Sequence, residues 1–164
     1  MYHYVREDDI DYPYFDHLNG SIFRKQLDYF SDNFGFLSKE EYFSSLSNGN
    51  IKNGVVLTFD DGFKDHYKYV LPELKKRNIW GIFYVPTKIF SSKKILGVHR
   101  IQYLKGKYGA KEILDSALKI VTKKMLDEDT IEEFDKEIYS SKIYSEDEKK
   151  LRRLFNYYIS YEYR

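Results

Sequence analysis

Two carboxylates, Asp60 and Asp61, stand side by side and are followed by Gly62. Successive residues of an extended chain point to opposite sides, so a turn at Gly62 is needed to bring both carboxylates to one place. There, one can hold a divalent metal and the other can take a proton from a metal-bound water, the pairing a metal-assisted hydrolase requires. Asp-Asp-Gly by itself is a common turn sequence. What sets it apart is the run before it, Val55-Val56-Leu57-Thr58-Phe59, a continuous apolar segment that fits a strand buried on both faces. Such a strand delivers the carboxylates at its C-terminal end, where α/β proteins keep their ligand and catalytic groups.

The elements around this strand can be read from periodicity and turn chemistry. Tyr2-His3-Tyr4-Val5 predicts a short strand, followed by a loop through Pro13 to Gly20. Ser21 then caps an expected helix carrying Ile22, Phe23, Leu27 and Phe30, with Gly35 as its terminator. Ser38-Lys39-Glu40-Glu41 has the capping-box pattern of a second, shorter helix with Tyr42, Phe43 and Leu46 behind it. Asn48-Gly49-Asn50 and Asn53-Gly54 are turn signals at the entry to the Asp60 strand. Beyond Gly62, the stretch Lys64 to Arg77 places Tyr67, Val70, Leu71 and Leu74 on one helical stripe, and Pro72 predicts a kink or a restart. Ile79 to Val85 reads as another buried strand ended by Pro86. Strand, helix and strand in this order form a βαβ unit, so the strand of Val55 to Phe59 and that of Ile79 to Val85 are expected parallel, with Met1 to Val5 on the other side. After residue 90 amphipathic helices are expected up to Tyr163 and no further strand. The last begins at the Ser145-Glu146-Asp147-Glu148 capping box and carries Leu151, Leu154, Phe155, Tyr158 and Ile159 with no stop signal before Arg164, which predicts a truncated chain.

Composition bounds the partners. With 164 residues, 42% of them hydrophobic and 32% charged, the chain has the profile of a globular domain or a piece of one. Lys and Arg number 27 against 26 for Asp and Glu, so no positive excess exists to hold a phosphate backbone, and nucleic acid is not an expected partner. There is no cysteine, so any metal must sit on Asp, Glu or His. The polar start of the sequence and the lack of an apolar run of about eighteen residues predict no signal peptide and no membrane span, and hence a soluble, cytoplasmic protein. The 17 tyrosines can line sugar-binding grooves or simply pack cores and interfaces.

The motif Thr58-Phe59-Asp60-Asp61-Gly62 resembles the first catalytic motif of the NodB-homology polysaccharide deacetylases, carbohydrate esterase family four. Its flanks are similar too: Tyr2-His3-Tyr4-Val5, the helix of Phe23 to Phe30, Asp65, Val70-Leu71-Pro72, and Gly81-Ile82-Phe83-Tyr84-Val85-Pro86. The resemblance spans roughly residues 1 to 104. It implies an α/β fold, namely part of a distorted (β/α) barrel over residues 1–90, with a helical insertion over 91–164 and the remaining strands absent. It also implies removal of acetyl groups from N-acetylated or O-acetylated sugars, with Asp60 as general base and Asp61 as a ligand to a divalent metal, expected to be zinc. In that family the other two ligands come from a downstream His-Ser/Thr-x-x-x-His motif, and later motifs add an Arg and a His acid; this sequence lacks those parts.

The four histidines, His3, His17, His66 and His99, include no pair with the spacing of that motif. His99 lies in Val98-His99-Arg100-Ile101-Gln102-Tyr103-Leu104, where the second ligand position would fall on Gln102 or Tyr103, neither a usual zinc donor. The run rather resembles a segment that precedes a helical insertion in longer deacetylase-like proteins, and a structural role is expected for His99. The strand of His3 should lie beside that of Asp60, so its ring either lines the site, together with Thr58 and Gly62, or is an ordinary buried histidine. His66 is expected on a solvated helix face and His17 in a loop.

Three readings follow. The first is a polysaccharide deacetylase-like hydrolase acting on an acetylated carbohydrate, incomplete and inactive as this isolated chain, and prone to self-association through an uncovered sheet edge. The second is a non-catalytic carbohydrate- or protein-binding module of deacetylase ancestry. The third, magnesium-dependent phosphoryl transfer on Asp60 and Asp61, lacks a Gly-rich phosphate loop and ranks last.

Overall fold

A computed structural model of the chain describes residues 1–92, 94–127 and 144–163. It is a mixed helix and strand structure that divides into two compact units: Met1–Asp8 with Asp16–Ser92, and Asp9–Phe15 with Lys93–Arg164. Asp9–Phe15 thus groups with the second unit, whereas the sequence pattern predicts a first unit running unbroken from 1 to 90.

The first unit contains β1 (Val5–Arg6), β2 (Leu18–Asn19), α1 (Gly20–Asn33), α2 (Lys39–Asn48), β3 (Leu57–Phe59), α3 (Leu71–Lys76), β4 (Gly81–Phe83) and α4 (Lys88–Ser92). β3 and β4 pair in parallel, Leu57 opposite Gly81 and Phe59 opposite Phe83, as the βαβ pattern requires. On the other side of β3, Tyr2 forms a parallel bridge with Phe59. β1 pairs in parallel with β2, a strand that falls within the loop expected from Pro13 to Gly20. The described strands therefore make two two-stranded sheets and do not close a barrel.

One core holds this unit together. Phe23 and Leu27, one turn apart on α1, are buried against Val5, Leu57, Phe59, Val70 and Leu74. Ile22 falls off that stripe and is exposed. α1 is capped by the Asn19 side chain, which accepts from the Ser21 N–H, so the cap lies before the expected Ser21. α2 begins with the Ser38 and Glu41 capping box the sequence announces. β3 buries Leu57 and Phe59 but leaves Thr58 half-buried, so the strand is not buried on both faces. β4 likewise leaves Phe83 38% exposed, and Tyr84 and Val85 after it are exposed, because no described strand pairs with its outer edge.

The connection after Gly62 departs from an ordinary helix. His66–Val70 forms a π turn closed by the Leu71 N–H to the His66 carbonyl, and Pro72 lies in the first turn of α3, where its missing N–H costs nothing. A π turn inserts one residue relative to an α turn and shifts the face that follows. Tyr67 is consequently 76% exposed, while His66, expected in solvent, is 3% exposed.

The second unit is built from α5 (Gly97–Tyr108), α6 (Ala110–Ile120) and α7 (Glu146–Arg153), with Leu114, Ala117, Leu151, Leu154 and Ile159 buried together. Lys105 is buried but ion-paired, its Nζ 2.7 Å from Glu148 Oε1, as a charge out of water must be. The helical run that opens at Ser145 stops at Tyr158; Ile159 is extended and bridges Leu126 in antiparallel fashion, with Ser160 N–H donating to the Met125 carbonyl. The part of the helical expectation that falls on 128–143 lies outside the described residues. Among the described residues no helix is long and apolar enough to cross a membrane.

Candidate functional site

Neighbours on both sides clamp the end of β3. Tyr2 N–H donates to the Thr58 carbonyl at 2.8 Å, Asp60 N–H donates to the Tyr2 carbonyl at 2.9 Å, and Tyr84 N–H donates to the Phe59 carbonyl at 2.8 Å. The chain then turns sharply at the next residue. It does so through two successive left-handed residues, Asp61 at φ 74° and Gly62 at φ 62°. Asp tolerates this region better than most side chains, and glycine adopts it freely. A Cβ at Gly62 would also sit 3.0 Å from the Val85 side chain, which would have to give way by a few tenths of an ångström.

The turn brings both carboxylates to one side. His3 Nε2 lies 3.8 Å from Asp60 Oδ2 and 3.8 Å from Asp61 Oδ2. The three side chains are partly open to solvent, His3 at 44% and the two aspartates at 26% and 23%. His3 is therefore neither deeply buried nor remote; it faces both acids. Thr58 supplies the carbonyl that fixes Tyr2, and Gly62 supplies the turn. Tyr4 stacks on Phe63 with ring centroids 4.3 Å apart, which ties the N-terminal segment to the loop carrying the carboxylates.

Behind this group sits His66, for which helical periodicity predicts a place in solvent. Its Nε2 is 2.5 Å from the His3 carbonyl, and its ring meets those of Phe59, Phe63 and Phe83 at centroid distances of 5.5, 5.6 and 5.9 Å. Burial pushes the imidazole below its ordinary pKa, opposed by the bond to the His3 carbonyl and by the charges of Asp65 and Asp61. No helical period could have found it, because the π turn sets its direction. The other histidines lie elsewhere: His17 Nε2 is 3.0 Å from Asp8 Oδ1, and His99 is buried on α5 of the second unit.

A metal needs more than this arrangement offers. Among the described residues no group of three His, Cys, Asp or Glu side chains is placed to hold a metal ion. A catalytic zinc site takes three protein ligands and a water, and Asp61 with its neighbours does not complete one. A cavity of about 680 Å³ opens in the second unit among Tyr14, Tyr108, Gly109, Lys111, Asp115 and Ser145, and it contains none of the carboxylates or histidines singled out above.

No protein-family model matches the chain, and no curated protein does. Among solved structures it is similar to a Streptococcus pyogenes deacetylase, PplD, in complex with acetate. The two are 22% identical, the match covers 95% of this chain and 78% of that one, and the TM-score is 0.45. At that score the functional reading has to stand on the chain's own residues.

Proposed function

We propose that this chain is a deacetylase-like hydrolase directed at N-acetylated or O-acetylated sugars. The observation that carries the reading is the left-handed Asp61, which turns its carboxylate to the same side as that of Asp60, with His3 3.8 Å from each. What counts is the outcome of that backbone, since the turn gathers two carboxylates and an imidazole at one partly open place. In the proposed reaction Asp60 takes a proton from a water as its oxygen attacks the acetyl carbonyl carbon. Asp60 then returns that proton to the sugar nitrogen or oxygen as its bond to the acetyl carbon breaks, and acetate and the freed amine or hydroxyl leave. His3 lines the same site, its Nε2 3.8 Å from an oxygen of each acid. Asp61 is the donor this chain would offer to a zinc ion, whose remaining ligands are not among the described residues.

That same shortage favours a second reading, a carbohydrate- or protein-binding module of deacetylase ancestry that does not hydrolyse. The two are separated by incubating the purified chain with a chitin-type oligosaccharide, with and without zinc, and measuring both acetate release and calorimetric binding. Release above a buffer control establishes a working hydrolase, and binding without release fits the module. The absence of both sinks the carbohydrate assignment.

The outer edge of β4, with Phe83 and Tyr84 exposed beside it, supports a further part of the proposal, self-association through this edge. Sedimentation is expected to show a concentration-dependent increase in mass. A single monomeric species over the accessible range removes it.

A further inference from the structure

We propose that His66 is a positioning residue: its Nε2–H donates to the His3 carbonyl and so holds the His3 side chain beside Asp60 and Asp61. The inference rests on the hydrolase reading above for its functional meaning, but its geometry is independent of it. Backbone accounting for the N-terminal segment supports the role. The Tyr2 carbonyl accepts from Asp60 N–H, and the Tyr4 carbonyl accepts from Leu18 N–H, each serving a strand neighbour. The carbonyl between them, that of His3, accepts from the side chain of His66, sixty-three positions along the chain. The His66 imidazole thus gives this carbonyl the partner that the strand neighbours give the other two.

The bond also fixes which ring nitrogen carries a proton. A carbonyl can only accept, so Nε2 must carry the proton. Nδ1 is buried and has no hydrogen-bond partner, which is consistent with a neutral ring whose lone pair lies there. A phenylalanine would fill this aromatic pocket with no orphaned nitrogen, so packing does not explain a histidine; the donor does. The π turn that swings His66 inward gives the placement a backbone cause, and Arg6 Nε, 3.7 Å from Asp65 Oδ2, ties the residue before that turn back to β1. Turns of this kind occur frequently at functional sites.

The test uses the full chain labelled with nitrogen-15. Long-range proton–nitrogen spectra near neutral pH are expected to show His66 with a proton on Nε2; the Nδ1–H tautomer overturns the proposal. His66→Phe keeps the ring and removes the donor, so the His3 ring signals are expected to move toward those of an unstructured histidine. His66→Gln restores an N–H of similar reach and is expected to return them toward the wild-type positions. Unchanged His3 signals in a folded His66→Phe protein, or no recovery with His66→Gln, also overturn it. Should His66→Phe fail to fold, the tautomer and the glutamine variant still decide. None of these measurements uses acetate release, so loss of the hydrolase reading leaves them standing, and an active protein with a displaced tautomer sinks this inference alone.

Discussion

Replacing Phe59 with alanine is expected to lower the stability of the first unit by about 3–5 kcal/mol, the range for truncating a buried aromatic. Phe59 is fully buried, and its ring stacks on Phe83 at 4.8 Å and on Tyr2 at 5.5 Å while meeting Phe23 edge-on at 6.2 Å. It links the three elements that frame the carboxylates: the N-terminal segment, β3 and β4. The surroundings have little room to close over the loss, since a Cβ at Gly81 would already sit 2.9 Å from the Phe59 ring. Trp80 is the single tryptophan and belongs to this unit, with its Nε1–H donating to the Leu37 carbonyl, so its fluorescence during urea unfolding reports the relevant transition. Phe34→Ala serves as the control, because Phe34 is 57% exposed and its loss is expected to shift the midpoint by about 0.5 kcal/mol or less. A Phe59→Ala midpoint indistinguishable from that control would show that the ring is not the keystone of this core.

Asp60→Asn is expected to lower kcat for acetate release by about 10²–10⁴-fold in protein that turns over, the usual contribution of a general base. Asparagine preserves the shape and the backbone bond from Asp60 N–H to the Tyr2 carbonyl, so folding and Trp80 fluorescence should be unchanged. Asp61→Asn tests the partner role. Asparagine also tolerates the left-handed backbone that Asp61 adopts at φ 74°, so the turn should survive while the charge is lost. In protein that takes up zinc, Asp61→Asn is expected to weaken that uptake in equilibrium dialysis and Asp60→Asn to leave it near the parent value. Full activity in Asp60→Asn ends its assignment as base, and equal zinc uptake by both variants ends that of Asp61 as ligand.

Much of the first unit is legible locally because its signals are short-range. Ser38 and Glu41 are three residues apart and cap α2 through bonds to each other's backbone. The parallel pairing of β3 with β4 follows from two apolar runs separated by a helix-length connection, since a parallel pair requires a crossover. Gly35, read as the terminator of α1, takes a left-handed φ of 68° just past the helix end, with its N–H on the Phe30 carbonyl.

Where pattern and structure part, a non-local or non-periodic cause is at work. β2 has only two residues and exists because Val5 and Arg6 pair with it, so no pattern of its own announces it. The helical run after Ser145 ends at Tyr158 because Ile159 finds an antiparallel partner in Leu126, which lies far back in the sequence.

By itself, the sequence determined that two adjacent carboxylates leave a buried strand and meet a glycine, and that the strand has a parallel neighbour. Those are consequences of residue type and spacing within a few positions. Tertiary structure decided between the two roles the sequence left open for His3, and it alone put His66 behind the carboxylates. His3 and Asp60 are brought to 3.8 Å by a bridge between Tyr2 and Phe59, and a π turn rotates His66 out of solvent and onto the His3 carbonyl. Sequence periodicity assumes 3.6 residues per turn, so the inward turn of His66 could not be read from it, whereas the sequence already set the strand of His3 beside that of Asp60 and left open only where its ring points.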